Sequence, residues 1–420
     1  MSSFVKESKR KTSRHSSSAS IDYEQIFLYR FKQQCVKNKL EPTPILTCIN
    51  QNVGKPRQLM TKHGEIILYK DPDSNTEMII VKNWNVPEAI LITIGQSLDY
   101  SNIRILKLEF CNLHEGHVSI LETILLNNIN IMELNLSGNP LLRSFLHDII
   151  NTGNLNYISM RFCQIDSEDT KRIFSVLKTF NSSRVLYLNL STNNINDGGC
   201  IYIAEVLRIN RSLLSLNLAD NKITDVGCEI IASAFKTFQL TPEEIFEKRK
   251  AKFNFLKTVD SKTNTGKELT KKSSRTSTKK IKSRSIIKDR SSTTTQSSTR
   301  SSKASLNVLE TKVCQHPFVI DSYEENSNIY CKGNNSMNHL NLSYNKIGEI
   351  GITYILSAVL HQKEEFKARG LTEVLLEGND CKSDCSQLQS INEILSTKCG
   401  ESLEGLQKLA SKTRRHSQKI

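Results

Sequence analysis

Three stretches of the chain are near-copies of one another: LNLSTNNINDGG at 188–199, LNLADNKITDVG at 216–227 and LNLSYNKIGEIG at 340–351. The first two begin 28 residues apart, and the last two 124. A short apolar segment with L-x-L alternation makes a strand with one buried face. The same segment recurring at a fixed period means that copies stack, because one unit cannot bury its own apolar side. The template L-x-x-L-x-L-x-x-(N/C)-x-L, extended along the chain, starts at Ile103, Ile131, Leu155, Val185, Leu213, Met337 and Leu371. Its ninth position is Cys111, Asn139, Cys163, Asn193, Asn221, Asn345 and Asn379, residues expected to turn the chain and bond the backbone of the coil. A degenerate copy precedes these, with Ile79, Val81, Trp84 and Val86 at matching offsets. After the turn, Asp197 and Asp225 are expected to cap the helix that follows in their own repeats.

The predicted fold is a curved α/β solenoid, with parallel strands on the concave face and helices on the convex face. In register and ninth-position chemistry it resembles the leucine-rich repeat. The 28-residue spacing with N-x-L-x-D-x-G resembles the ribonuclease-inhibitor-like class.

Composition divides the chain further. Residues 1–20 are basic, serine-rich and expected to be disordered. Residues 21–75 read as an N-terminal cap. It has a helix over 22–40, opened by Asp22 and Gln25, with Ile26, Phe27, Phe31 and Val36 as its apolar side. A hairpin turning at 71–75 follows. Repeats occupy 76–240 and resume over 337–398, and 399–420 is a C-terminal cap with a basic tail. Between them, 241–336 opens with a helix: Thr241 caps, Pro242 starts the first turn and Glu244 completes a capping box. Phe246, Phe253 and Leu256 are expected to pack on the solenoid flank. Residues 257–303 hold 22 Ser/Thr and 14 Lys/Arg in 47 positions, too few apolar groups to offset chain entropy, and are predicted to be disordered. HPFVIDSYEENSNIYCKGN returns as a short hairpin, while LNVLETKVCQH fits the template only partly, with Thr311 and His316 at apolar positions. The break is read as an interruption within one solenoid, since Met337 onward continues the pattern begun at Leu213.

The net charge of +14 lives in the flanks: +4 over 1–20, +11 over 257–303 and +5 over 406–420, leaving the rest at about −6. No basic face on a folded domain is indicated, and nucleic acid is disfavoured because little aromatic side chain interleaves the basic runs. These segments suit an acidic polymer such as tubulin tails. Arg10, Lys11 and Ser13, and Arg414, Arg415 and Ser417, match the basic-basic-x-Ser pattern of basophilic kinases, making Ser13 and Ser417 candidate phosphorylation sites. The N-terminus lacks the apolar core of a signal peptide, Ser2 rules out myristoylation, and no apolar run reaches the ~20 residues of a membrane span. The eleven cysteines have no framework spacing. The expectation is a cytoplasmic protein with reduced thiols and no membrane contact.

No GxxxxGK[ST], HExxH, GxSxG or kinase signature is present, so no catalytic residue or cofactor is expected. Cys381 with Cys385, and Cys314 and His316 with Cys331, lack the paired spacing of zinc sites, so no metal is expected either. The binding surface expected of this architecture is the concave face, where Tyr157, Tyr187, Arg161, Glu133, Lys107, Glu109 and His339 project. Tyrosine and arginine are enriched at interface hot spots.

A late break in the array, opened by a TPEE helix and filled with Lys and Ser, resembles the leucine-rich repeat-containing protein 71 family. That resemblance implies a non-enzymatic interaction protein of ciliated cells, placed in a motile cilium or axoneme. An enzyme regulator of inhibitor or GTPase-activating type is the alternative, although such activators are expected to carry an acidic tail. Nucleic-acid binding through the basic insert is the third reading.

Overall fold

The computed structural model describes residues 23–49, 64–70, 77–99, 101–152, 154–178, 184–273, 314–366, 369–382 and 385–397. It divides into two compact units, Met1–Asn135 with Thr152–Asn154, and Leu136–Asn151 with Leu155–Ile420. Residues 1–20, Ser13, Ser417, most of the basic insert and the C-terminal tail lie outside the described residues.

The first unit runs α1 (Tyr23–Lys37), β1 (Ile45–Ile49), β2 (Glu65–Lys70), β3 (Glu77–Lys82), α2 (Glu88–Ser97), β4 (Ile103–Glu109), α3 (Glu115–Asn127) and β5 (Glu133–Asn135). The buried stripe of α1 is Phe27, Phe31 and Cys35, spaced four apart on one face. Val36 is exposed, contrary to expectation, because it falls one residue off that stripe. β2 and β3 form the hairpin, with Ile67 opposite Ile80. β3 also pairs parallel with β4, so the second strand of the hairpin is the strand of the degenerate repeat. β4 pairs parallel with β5. β1, unforeseen in sequence, lies parallel to β2.

The second unit begins with a 3₁₀ turn (Pro140–Phe145) and α4 (Leu146–Thr152). It continues through β6 (Tyr157–Ser159), α5 (Ser167–Leu177), β7 (Tyr187–Asn189), α6 (Asp197–Leu207), β8 (Ser215–Asn217) and α7 (Asp225–Ser233). Next come β9 (Phe238–Gln239), α8 (Pro242–Ser273), α9 (Pro317–Ile320), β10 (Ser322–Glu325) and β11 (Asn328–Cys331). β12 (His339–Asn341), α10 (Glu349–Phe366), β13 (Glu373–Leu375) and α11 (386–397) complete the unit. β6, β7, β8, β12 and β13 are neighbours in that order, all parallel. Each begins two residues after its template start. β12 lies directly on β8, His339 against Ser215, so the array continues across the insertion without a gap.

The ninth-position asparagines stitch coil to coil. Asn193 Oδ1 accepts from the backbone N–H of Cys163 and of Ile165, each at 3.0 Å, and its Nδ2 donates to the carbonyls of Met160 and Leu190. Asn345 repeats this across the insertion, accepting from Ile223 N–H at 3.1 Å and donating to Leu218 O at 3.0 Å. Immediately before each ninth-position residue the chain turns through a left-handed conformation: Phe110, Gly138, Phe162, Thr192, Asp220, Tyr344 and Gly378 all have φ between 52° and 77°.

The aspartates correct the sequence reading. The helix caps are Asn196 for α6 and Thr224 for α7. Asp197 reaches the next repeat instead, accepting from Thr224 N–H at 2.8 Å and Gly227 N–H at 3.0 Å. Asp225 does the same across the insertion, to Gly348 N–H and Gly351 N–H at 2.6 and 3.0 Å. The aspartate sits at the first helical position, so its side chain points along the stack. Glycine is required opposite, since a Cβ on Gly227 would lie 2.3 Å from Asp197 Oδ1.

Two further corrections concern the insert. α8 does not stop at Lys257 but continues to Ser273, nucleated by its capping box and extended cooperatively. Phe246, Phe253 and Leu256 are exposed rather than packed. The bidentate pair of Arg208 with Glu244 sets the rotation of the helix, and this turns Ile245 inward. Ile245 packs on Ile209, Phe238, Leu240, Phe318 and Cys331 beneath the antiparallel sheet β10-β11-β9.

Candidate protein-interaction surface

The strand register places side chains of successive repeats side by side on the face away from the helices. In the second unit, one row reads Tyr157, Tyr187, Ser215, His339 and Glu373 across β6, β7, β8, β12 and β13. The rings of Tyr157 and Tyr187 lie 6.5 Å apart at 35°, and Tyr187 is 43% exposed. Arg161, just beyond β6, is exposed and donates from Nε to Thr192 Oγ1 at 3.2 Å. His339 is further along the row, with Nδ1 3.0 Å from Ser215 Oγ and Nε2 3.7 Å from Glu373. The row is therefore aromatic at one end and polar at the other.

Lys107, Glu109 and Glu133 belong to the first unit, so the seven sequence-derived residues are split between two units. Glu109 is engaged, with Lys82 Nζ at 2.9 Å and Asn135 Nδ2 donating to it at 2.7 Å. Burial pushes the Glu133 carboxyl above its usual range, against the opposing charge of Lys107. A carboxyl whose folded value is raised favours the fold while protonated, and loses that contribution as pH climbs through the folded value. Glu133→Gln is accordingly expected to stabilise the first unit modestly at neutral pH and to make no difference well below the carboxylate range. Thermal midpoints of both proteins across pH 3–8 provide the check.

The asparagine row beside the tyrosines is structural. Asn189, Asn217 and Asn341 each accept from the backbone N–H two residues on, at 3.0, 3.0 and 2.9 Å. These Asx turns bend the strand ends. The sequence reading missed the bulky residues at the left-handed position. Phe162, directly after Arg161, is 53% exposed at φ 58°, and Tyr344 is 64% exposed at φ 56°. Bulky side chains are uncommon in that conformation, which glycine adopts at 138 and 378. The signal was an aromatic where neighbouring repeats place glycine.

Burial drives the Cys111 and Cys228 thiols up to about 12 and Cys163 to about 11, which keeps them protonated and unreactive. Glu88, His114 and His117 form a cluster whose ligand atoms lie within 4.8 Å of one another. Three of its four ring nitrogens already bond the backbone. His114 Nδ1 accepts from Gly116 N–H, His117 Nδ1 from His114 N–H, and His117 Nε2 meets Val86 O at 2.9 Å. The pair caps α3, leaving too few ligands for a tetrahedral zinc.

Among the described residues no helix is long and apolar enough to cross a membrane. The family described as Leucine Rich repeat matches at residues 182–204, 210–232 and 333–356. Among solved structures, an internalin (inlF) from Listeria monocytogenes is similar at 14% identity and a TM-score of 0.32. That match covers 75% of this chain and 64% of the internalin chain. No curated protein is matched.

Proposed function

We propose that this chain, a leucine-rich repeat protein, is a non-enzymatic scaffold that docks a protein partner on the strand face of its second unit, around Tyr157, Tyr187, Arg161 and Phe162. The observation that carries the reading is the tyrosine pair, side by side on adjacent strands in fixed register with the Tyr187 ring partly in water. Amphipathic aromatics on a rigid backbone bind at little entropic cost, and tyrosine and arginine dominate interface energetics. The matched family is a repeat of the interaction type, which supports protein partners over catalysis.

The late break opened by Thr241 and Glu244 supports the finer setting, a ciliary or axonemal assembly, through resemblance to the leucine-rich repeat-containing protein 71 family. In that setting the basic segments would meet acidic tubulin tails. Regulation of an enzyme is the second reading, and the basic charge of 257–303 and 406–420 counts against its GTPase-activating form.

Affinity capture from ciliated-cell extract tests this, comparing wild type, Tyr157→Ala with Tyr187→Ala, and a deletion of 274–303. Axonemal partners lost only by the tyrosine variant are expected. Recovery of nucleic acid dependent on 274–303, with no change in the tyrosine variant, would overturn the reading.

A further inference from the structure

The outward side of α8 carries exposed apolar side chains on an element separate from the strand face. The helix is held in one orientation at its start. Thr241 N–H donates to Glu244 Oε2 at 2.9 Å and Glu244 N–H to Thr241 Oγ1 at 3.3 Å, while Arg208 grips both Glu244 oxygens at 2.7 and 2.6 Å. The half-buried residues Glu244, Lys248, Ala251 and Phe255 mark its inner side, and the opposite side faces solvent. There Phe246 is 67% exposed and Phe253 57%, with Leu256 at 51%. Residues 246 and 253 are two helical turns apart and so line up, about 10 Å from one another along the axis.

Charge on this face is polarised. Glu243 lies exposed at the N-terminal end, and Arg249, Lys250, Lys252 and Lys257 are exposed around the phenylalanines toward the C-terminal end. The ammonium of Lys257 lies 4.5 Å from the centre of the Phe253 ring. An exposed aromatic line flanked by cations is the pattern of a helix that fills an apolar groove rimmed by carboxylates. We infer that this face docks into such a groove on an acidic, helix-accepting protein. A bilayer is the poorer match. The large exposed apolar side chains of α8 within 242–258 are Phe246, Phe253 and Leu256, too narrow a stripe to bury much area in a membrane.

Calcium-loaded calmodulin, whose methionine-lined groove is acidic and takes amphipathic helices, serves as the probe. Titrated into the full chain by calorimetry, it is expected to bind saturably and only with calcium. Phe246→Ala with Phe253→Ala should weaken binding about tenfold or more, as removal of central aromatic anchors does. Arg249→Glu with Lys250→Glu should weaken it at low salt and less at high salt. All four side chains are exposed, so far-ultraviolet circular dichroism and the thermal midpoint should stay unchanged. Absence of binding, binding indifferent to the phenylalanines, or capture by phosphatidylserine vesicles in place of calmodulin would each overturn the inference.

Discussion

Asn193→Ala is expected to destabilise the second unit by about 4 kcal/mol, near the top of the range for a single substitution. The side chain is buried, and five backbone groups depend on it. The N–H groups of Cys163 and Ile165 donate to Oδ1, and the carbonyls of Met160, Leu190 and Ser191 receive from Nδ2. Alanine strands them where water does not reach, and each orphaned buried group costs about 1–3 kcal/mol. The conservative variants sharpen the expectation. Asn193→Asp keeps the acceptor but aims a carboxylate oxygen at three carbonyls, and should be no better than alanine. Asn193→Cys should fall between. The thiol of Cys163 shows why: it donates to Leu136 O and Arg161 O at 3.4 and 3.5 Å, and sulfur is a weaker donor and acceptor than a carboxamide. Urea midpoints of the four proteins give the ranking.

Arg208→Ala is expected to release the insert while leaving the repeats folded. One guanidinium binds both oxygens of Glu244, donates to Gln239 O at 2.9 Å and lies 3.7 Å over the Phe238 ring. Removing it leaves the largely buried Glu244 carboxylate without its counter-charge, which costs about 3 kcal/mol for a pair of this kind. That cost falls on α8 and on the β10-β11-β9 sheet. Deuterium exchange should therefore quicken about 100-fold over 242–256, with β7 and β8 protected as before. Arg208→Lys should not rescue, since an ammonium cannot hold both oxygens in one plane. Uniform loss of protection would mean that the insert is not a separable layer.

The strands and their neighbours were legible because each repeat states its pattern locally. L-x-L alternation and an Asn or Cys at a fixed offset set the strand start in six of the seven copies, β4 starting two residues earlier, and matching patterns at Leu213 and Met337 placed β12 against β8. What escaped depends on neighbours. Asp197 and Asp225 look like caps for their own helices, and only stacking shows them serving the next coil. The exposure of Phe246 and Phe253 follows from helix rotation, which Arg208 decides from 36 positions away in sequence. β1 joins the sheet through the hairpin and carries no repeat signature. For the candidate surface, register alone paired Tyr157 with Tyr187, whereas Phe162 needed the backbone dihedral to show an aromatic held where glycine is at ease.

The most direct test of the scaffold reading is site-specific photo-crosslinking in ciliated cells, from a benzoyl-phenylalanine placed at position 187 and, separately, at position 201. Tyr187 lies on the strand face and Ile201 is exposed on α6. A discrete protein adduct from position 187, with none from 201, is the expected result. Adducts from 201 and none from 187 would contradict a partner seated on the tyrosine pair.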